Sequence, residues 1–179
     1  FQAKFKLTMN KEQFASCEEL TKCKRLTIIE GAAGVGKTTT SINLANQLYK
    51  SMNKEVFALA TQQNTANAMK EVGIKNTFNI TDFLGQVESG KIDIKNSALI
   101  IDEAGMVGTS HYKQLTDLAL QNNCNLILVG DRKQLASVSQ GDGFSQIIET
   151  AKDYINVSIN QRQKDPITFK IAEAFKERK

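Results

Sequence analysis

The segment Gly31-Ala32-Ala33-Gly34-Val35-Gly36-Lys37-Thr38 restricts the possible folds of this chain more than any other stretch. It fits the phosphate-loop pattern, Gly, four residues of any kind, Gly-Lys, then Ser or Thr, at every fixed position, and that pattern works only between the end of a strand and the start of a helix. Both neighbours are present: the apolar run Leu26 to Ile29 precedes it, and a helical period from Lys37 to Lys50 follows. The glycines let the backbone wrap closely around a phosphate chain with its N–H groups pointing inward, and the helix N-terminus adds a favourable dipole. Lys37 brings a compact positive charge to the terminal phosphates, Thr38 brings a hydroxyl for Mg²⁺, and Thr39 completes the cradle. The alternative, an accidental glycine-rich turn, leaves the strand before and the helix after unexplained.

The rest of the chain repeats that alternation. Apolar runs that suit buried parallel strands occur at Leu26 to Ile29, Val56 to Ala60, Ala98 to Ile101 and Leu126 to Val129, with a weaker fifth at Tyr154 to Ile159. Helical periods occupy Lys37 to Lys50, Asn64 to Val72, Ser110 to Gln121 and Gly143 to Lys152, the last with Phe144, Ile147, Ile148 and Ala151 on one stripe. The expected architecture is α/β, a mainly parallel sheet with helices on both faces. Asn10 and Gln13 have the spacing of a capped helix running to about Cys23, and Asp165-Pro166 opens another near the end. With 179 residues, 41% of them hydrophobic, and a single proline, the chain is expected to form one domain over residues 1–179.

Composition excludes some classes and leaves others open. There is no apolar run of about 18 residues and no charged-then-apolar leader, so a cytoplasmic protein with no membrane partner is expected. Cys17, Cys23 and Cys124 form no close Cys-x-x-Cys pair, which makes them packing cysteines rather than a zinc or redox centre. His111, the single histidine, has no partner cluster and suits a surface position. The net charge of +4 fits a polyanionic partner and an ordinary surface equally well.

A second chemical signal is Ala98-Leu99-Ile100-Ile101-Asp102-Glu103. A buried strand ending in two acids delivers them to the carboxyl edge of the sheet, where open α/β folds bind ligands and where the phosphate loop also lies. Asp102 is expected in the Mg²⁺ shell, and Glu103 is expected to polarise the water that attacks the γ-phosphate of ATP. The bland reading is a pair of solvated acids. Asp93 and Asp142 lack this setting and are assigned to loops.

The ordered set GAAGVGKT, ALATQQNTANAM, LIIDEAGMVGT, LILVGDRKQL and NQRQ resembles the first RecA-like motor domain of superfamily 1 DNA helicases of the RecD-like branch, and is most similar to the helicase segment of TraA/TraI-type conjugative relaxases. The resemblance runs from about Met9 to Arg162. It implies a RecA-like P-loop NTPase that binds ATP and Mg²⁺, hydrolyses ATP and acts on single-stranded DNA. It further implies that Gln13 hydrogen-bonds the adenine edge, that Gln134 senses the γ-phosphate, and that Arg162 stabilises charge there as an arginine finger does. Gln13 as a capping residue and Arg162 as a solvated arginine remain open readings. For DNA the resemblance implies Thr61-Gln62-Gln63-Asn64-Thr65 and Thr81-Asp82-Phe83-Leu84, with Phe83 as a stacking face. A capping turn and a core phenylalanine compete with those roles.

The sequence departs from that family pattern in two places. Between Gly85 and Ala98 there is room for no more than a short hairpin around Ser89-Gly90, where some relatives carry a strand-splitting wedge. No second RecA-like domain is expected within residues 1–179, and no relaxase segment, with its histidine cluster and tyrosine nucleophile, is expected there either. The expected partners are therefore a C-terminal motor domain and an N-terminal relaxase domain of a parent protein, with the isolated chain weakly hydrolytic and unable to unwind DNA alone. Two other functions stand beside the motor: a nucleoside or nucleotide kinase, and a non-catalytic ATP-binding remnant.

Overall fold

The apolar runs become neighbouring strands of one parallel sheet in the computed structural model, which describes residues 22, 24–31, 42–71, 73–131, 143–150 and 155–157. In chain order the elements are β1 (Leu26–Gly31), α1 (Asn43–Ser51), β2 (Val56–Ala60), α2 (Gln63–Glu71), β3 (Asn76–Asn79), α3 (Ile80–Glu88), β4 (Ala98–Ile101), α4 (Thr109–Gln121), β5 (Asn125–Gly130), α5 (Gly143–Thr150) and β6 (Ile155–Val157). The sheet order is β3-β2-β4-β5-β1-β6. Every pairing is parallel, with Leu26 opposite Leu126, Ala98 opposite Asn125 and Val56 opposite Ala98.

Strands β2, β4 and β5 are buried at every residue, as expected of parallel strands covered on both faces. The strand period sorts their side chains into two cores. Phe57, Leu59, Leu99, Ile101, Leu126 and Leu128 face α3, α4 and α5, where they meet Phe83, Tyr112, Leu115, Phe144 and Ile148. Ala58, Ala60, Ala98, Ile100, Ile127 and Val129 face α1 and α2, where they meet Ala45, Tyr49, Ala66 and Met69. Buried Tyr112, Leu115 and Ala119 on α4 recur at the spacing of one helical stripe.

The structure corrects the sequence reading between Gly73 and Ala98. The hairpin expected around Ser89-Gly90 is instead the exit of α3: Ser89 is its C-cap, with its N–H on the Gly85 carbonyl at 3.0 Å, and Gly90 follows at φ +73°. Asn79 starts that helix by accepting a hydrogen bond from the Thr81 N–H at 2.9 Å. Phe83 is fully buried against Phe57 and Phe78, at ring-centroid distances of 5.5 and 5.9 Å, so it is a core residue and offers no stacking face. Asp93 lies in the loop before β4, where its carboxylate accepts from the Lys95 N–H. The helices expected before Cys23 and after Asp165 lie outside the described residues, as do Cys17, Cys23 and Asp142; Cys124 is buried.

At the amino edge, polar side chains tie the strand starts together. Arg25 donates to Asn123 Oδ1 at 2.9 Å, Lys54 donates to Asn125 Oδ1 at 2.7 Å, and Asn125 Nδ2 reaches the Lys24 carbonyl at 3.0 Å. In open α/β sheets ligand chemistry belongs to the opposite, carboxyl edge. No helix among the described residues is long and apolar enough to cross a membrane.

Candidate functional site

Because all the strands run the same way, their carboxyl ends converge on one edge. Gly31 ends β1 there, Gly130 ends β5, and Asp102 follows β4 directly. The pairings of Ile101 with Leu128 and of Leu128 with Ile28 set Asp102 two strands away from β1, about 10 Å across the sheet. Asp102 and the end of β1 therefore share one edge of the sheet.

Asp102 is 3% exposed and held at both ends. Its N–H donates to the Leu59 carbonyl at 2.9 Å, extending the pairing of β4 with β2 by one residue, and its Oδ1 accepts from the Glu103 N–H at 2.9 Å. Glu103 then turns sharply, with φ 52° and ψ 43°. A left-handed conformation in a non-glycine residue costs roughly 1–2 kcal/mol, so the surroundings must hold it. They do so through a single 3₁₀ turn, Ala104–Met106, in which the Met106 N–H donates to the Glu103 carbonyl at 2.9 Å and the Val107 N–H to the Ala104 carbonyl at 3.1 Å. Two consecutive carboxylates thus follow β4, Asp102 buried and Glu103 half-buried.

Two glycines let this turn sit on the end of β5. A Cβ on Gly105 would come within 2.5 Å of the Asp131 carbonyl oxygen, and a Cβ on Gly130 within 2.9 Å of the Gly105 nitrogen. Backbone therefore packs on backbone, which only glycine allows. Beneath the turn the Tyr112 hydroxyl donates to the Ala104 carbonyl at 2.6 Å. Gly105, Gly130 and Tyr112 were missing from the sequence-based site. The glycines were visible beside the acids, but their mutual contact is tertiary and leaves no local signal.

Of the residues expected in the site, the structure brings Gly31, Asp102 and Glu103 to one edge. Gln13, Ala32, Ala33, Gly34, Val35, Gly36, Lys37, Thr38, Thr39, Gln134 and Arg162 lie outside the described residues. Gln62, Gln63 and Asn64 are exposed at the start of α2, just beyond β2 on the same edge, and Gln63 Nε2 donates to Asn67 Oδ1 at 3.3 Å. Thr61 contributes its carbonyl to Asn79 Nδ2 at 2.9 Å. His111 is half-buried on α4, and no cluster of three His, Cys, Asp or Glu side chains among the described residues is suited to a metal. The buried Asp102 carboxylate nevertheless fits Mg²⁺, which keeps most of its waters and takes phosphate oxygens alongside one or two carboxylates.

A parallel sheet covered on both faces, with a phosphate-loop sequence after one strand and paired acids after another, defines a RecA-like, helicase-type ATPase domain. Residues 8–179 match the AAA domain family, and the chain belongs to that family. It is 28% identical over 142 residues to a conjugal transfer protein TraA of Rhizobium radiobacter, covering 79% of this chain and 13% of that protein. It is also 28% identical over 128 residues to the multifunctional conjugation protein TraI of Escherichia coli strain K12, covering 67% of this chain and 7% of that one. The chain thus spans only a small fraction of these relatives. The crystal structure of the Pif1 helicase from Candida albicans superposes with a TM-score of 0.70 at 19% identity, covering 93% of this chain and 44% of that one. The resemblance read from the motifs is borne out, as is the fold.

Proposed function

We propose that this chain is the ATP-binding and ATP-hydrolysing first motor domain of a DNA helicase that acts on single-stranded DNA during conjugative transfer. The observation that carries the reading is the pair Asp102-Glu103, a buried carboxylate followed by a left-handed, half-buried one, on the edge where β1 ends in Gly31. In this reading residues 1–179 form a single ATPase domain in the cytoplasm, and the partners are single-stranded DNA, a second motor domain and a relaxase domain of the parent protein.

Each side chain has a separate task. The backbone of residues 31–36 wraps the phosphates, and Lys37 neutralises the terminal charge as it develops. Thr38 and Asp102 hold Mg²⁺, which when bound supplies charge to the phosphate oxygens. Glu103 orients the attacking water and accepts its proton, Gln134 senses the γ-phosphate, Arg162 offsets the transition-state charge, and Gln13 meets the adenine edge. The exposed Gln62, Gln63 and Asn64 give polar contacts for a DNA backbone crossing the same edge.

The test is Glu103→Gln. Removing the base while keeping the shape should leave Mg-ATP affinity nearly intact and slow single-turnover hydrolysis by about two to four orders of magnitude. Near-normal hydrolysis in the variant sinks the assignment.

A further inference from the structure

The Ala104 carbonyl oxygen accepts two hydrogen bonds, from the Val107 N–H at 3.1 Å and from the Tyr112 hydroxyl at 2.6 Å. The first closes the 3₁₀ turn after Glu103. The second comes from α4, and it is not needed to satisfy the carbonyl. Tyr112 is 4% exposed, and its ring is seated under the start of α5, where a Cβ on Gly143 would fall 2.7 Å from Cδ2. A phenylalanine would fill the same space. The hydroxyl is therefore a fixed strut from the helical layer to the one turn that keeps Glu103 at φ 52°.

We infer that Tyr112 is a positioning residue for Glu103, holding the following turn so that the carboxylate stays in the direction its left-handed backbone gives it. The inference rests on the ATPase reading above. A strained residue reverts when its surroundings loosen. Once Ala104 is released, Glu103 can relax toward the right-handed region, which swings its Cα–Cβ bond away from the water it is proposed to orient. Since Val107 still satisfies the Ala104 carbonyl, loss of the hydroxyl strands no buried acceptor and stability changes little. The effect falls on turnover. The ring also joins the Glu103 turn to the start of α5, so a change at Gly143 should reach Glu103 through Tyr112.

The experiment measures Mg-ATP turnover and thermal unfolding of the whole chain as wild type, Tyr112→Phe, Gly143→Ala, Glu103→Gln and the double variant Tyr112→Phe/Glu103→Gln. Tyr112→Phe is expected to lower kcat by about three- to tenfold, the rate equivalent of one buried hydrogen bond, with KM within about twofold of wild type. Added to Glu103→Gln it should cause no further loss in single-turnover rate, because residues that act through one another are not additive. Gly143→Ala should depress kcat in the same direction with the hydroxyl intact. Wild-type turnover in Tyr112→Phe, or an equal further loss on the Glu103→Gln background, overturns the inference alone. No hydrolysis by the wild-type chain overturns the ATPase reading, and this inference with it.

Discussion

The two faces of the sheet are built from different material. The face under α3, α4 and α5 is rich in large rings, with Phe57, Phe83, Tyr112 and Phe144 among its buried residues, whereas the face under α1 and α2 is lined by Ala45, Ala58, Ala60, Ala66 and Ala98. Each is close to fully buried. Large rings fill a thick layer and fail by leaving voids; alanines admit a helix close to the sheet and fail when something wider intrudes. The split has a functional side, because α1 is the next described element after the phosphate-loop sequence. The alanine face sets the height of the helix behind that loop, and the aromatic face carries Tyr112 beneath the acids.

The largest effect that tests this contrast should come from Phe83→Ala. Emptying a fully buried ring site should cost about 3–5 kcal/mol in chemical denaturation, while Mg-ATP affinity per folded molecule stays at the wild-type level. Equal losses of stability and affinity would erase the distinction between the faces. Ala45→Leu is the opposite intrusion: overpacking under α1 should cost about 1–3 kcal/mol. Part of that strain should also appear at the phosphate loop, as Mg-ATP affinity about three- to tenfold weaker by isothermal titration. Unchanged affinity would mean that the seating of α1 does not reach the loop. The smallest effect is expected outside both cores. Leu120 is 63% exposed, so Leu120→Ala should move stability by no more than about 0.5 kcal/mol in the same denaturation series.

The parts of this molecule that could be read from its sequence are those fixed by local chemistry. Strands β2 and β4 have the bounds their apolar runs gave, and β1 and β5 extend by a residue or two. The β3 and α3 pair leaves little trace because Asn76-Thr77-Phe78-Asn79 is a four-residue edge strand with three polar residues, too little apolar content to stand out. A signal for α3 was nonetheless present, since Asn79 caps it and Ile80, Phe83, Leu84 and Val87 follow at helical spacing. Asp102 and Glu103 were legible because they terminate a buried run. The contact of Gly105 with Gly130 joins separate elements, so no short window of sequence contains it, while the left-handed turn at Glu103 and the Tyr112 strut lie within residues 103–112 but follow from how that segment packs, which no residue pattern announces.

The strand order also fixes when the nucleotide site can first exist. β1 lies between β5 and β6, and its register sets Leu26 against Leu126. On the ribosome, at about 5–20 residues per second, the strand that leads into the phosphate loop emerges early and then waits several seconds for its neighbour. Strands β2, β3 and β4 can pair with one another in the meantime, but β1 has no place in the sheet until β5 arrives. ATP can therefore stabilise the sheet only once β5 has been made, and a translation pause before β5 would leave β1 exposed to chaperones or to aggregation.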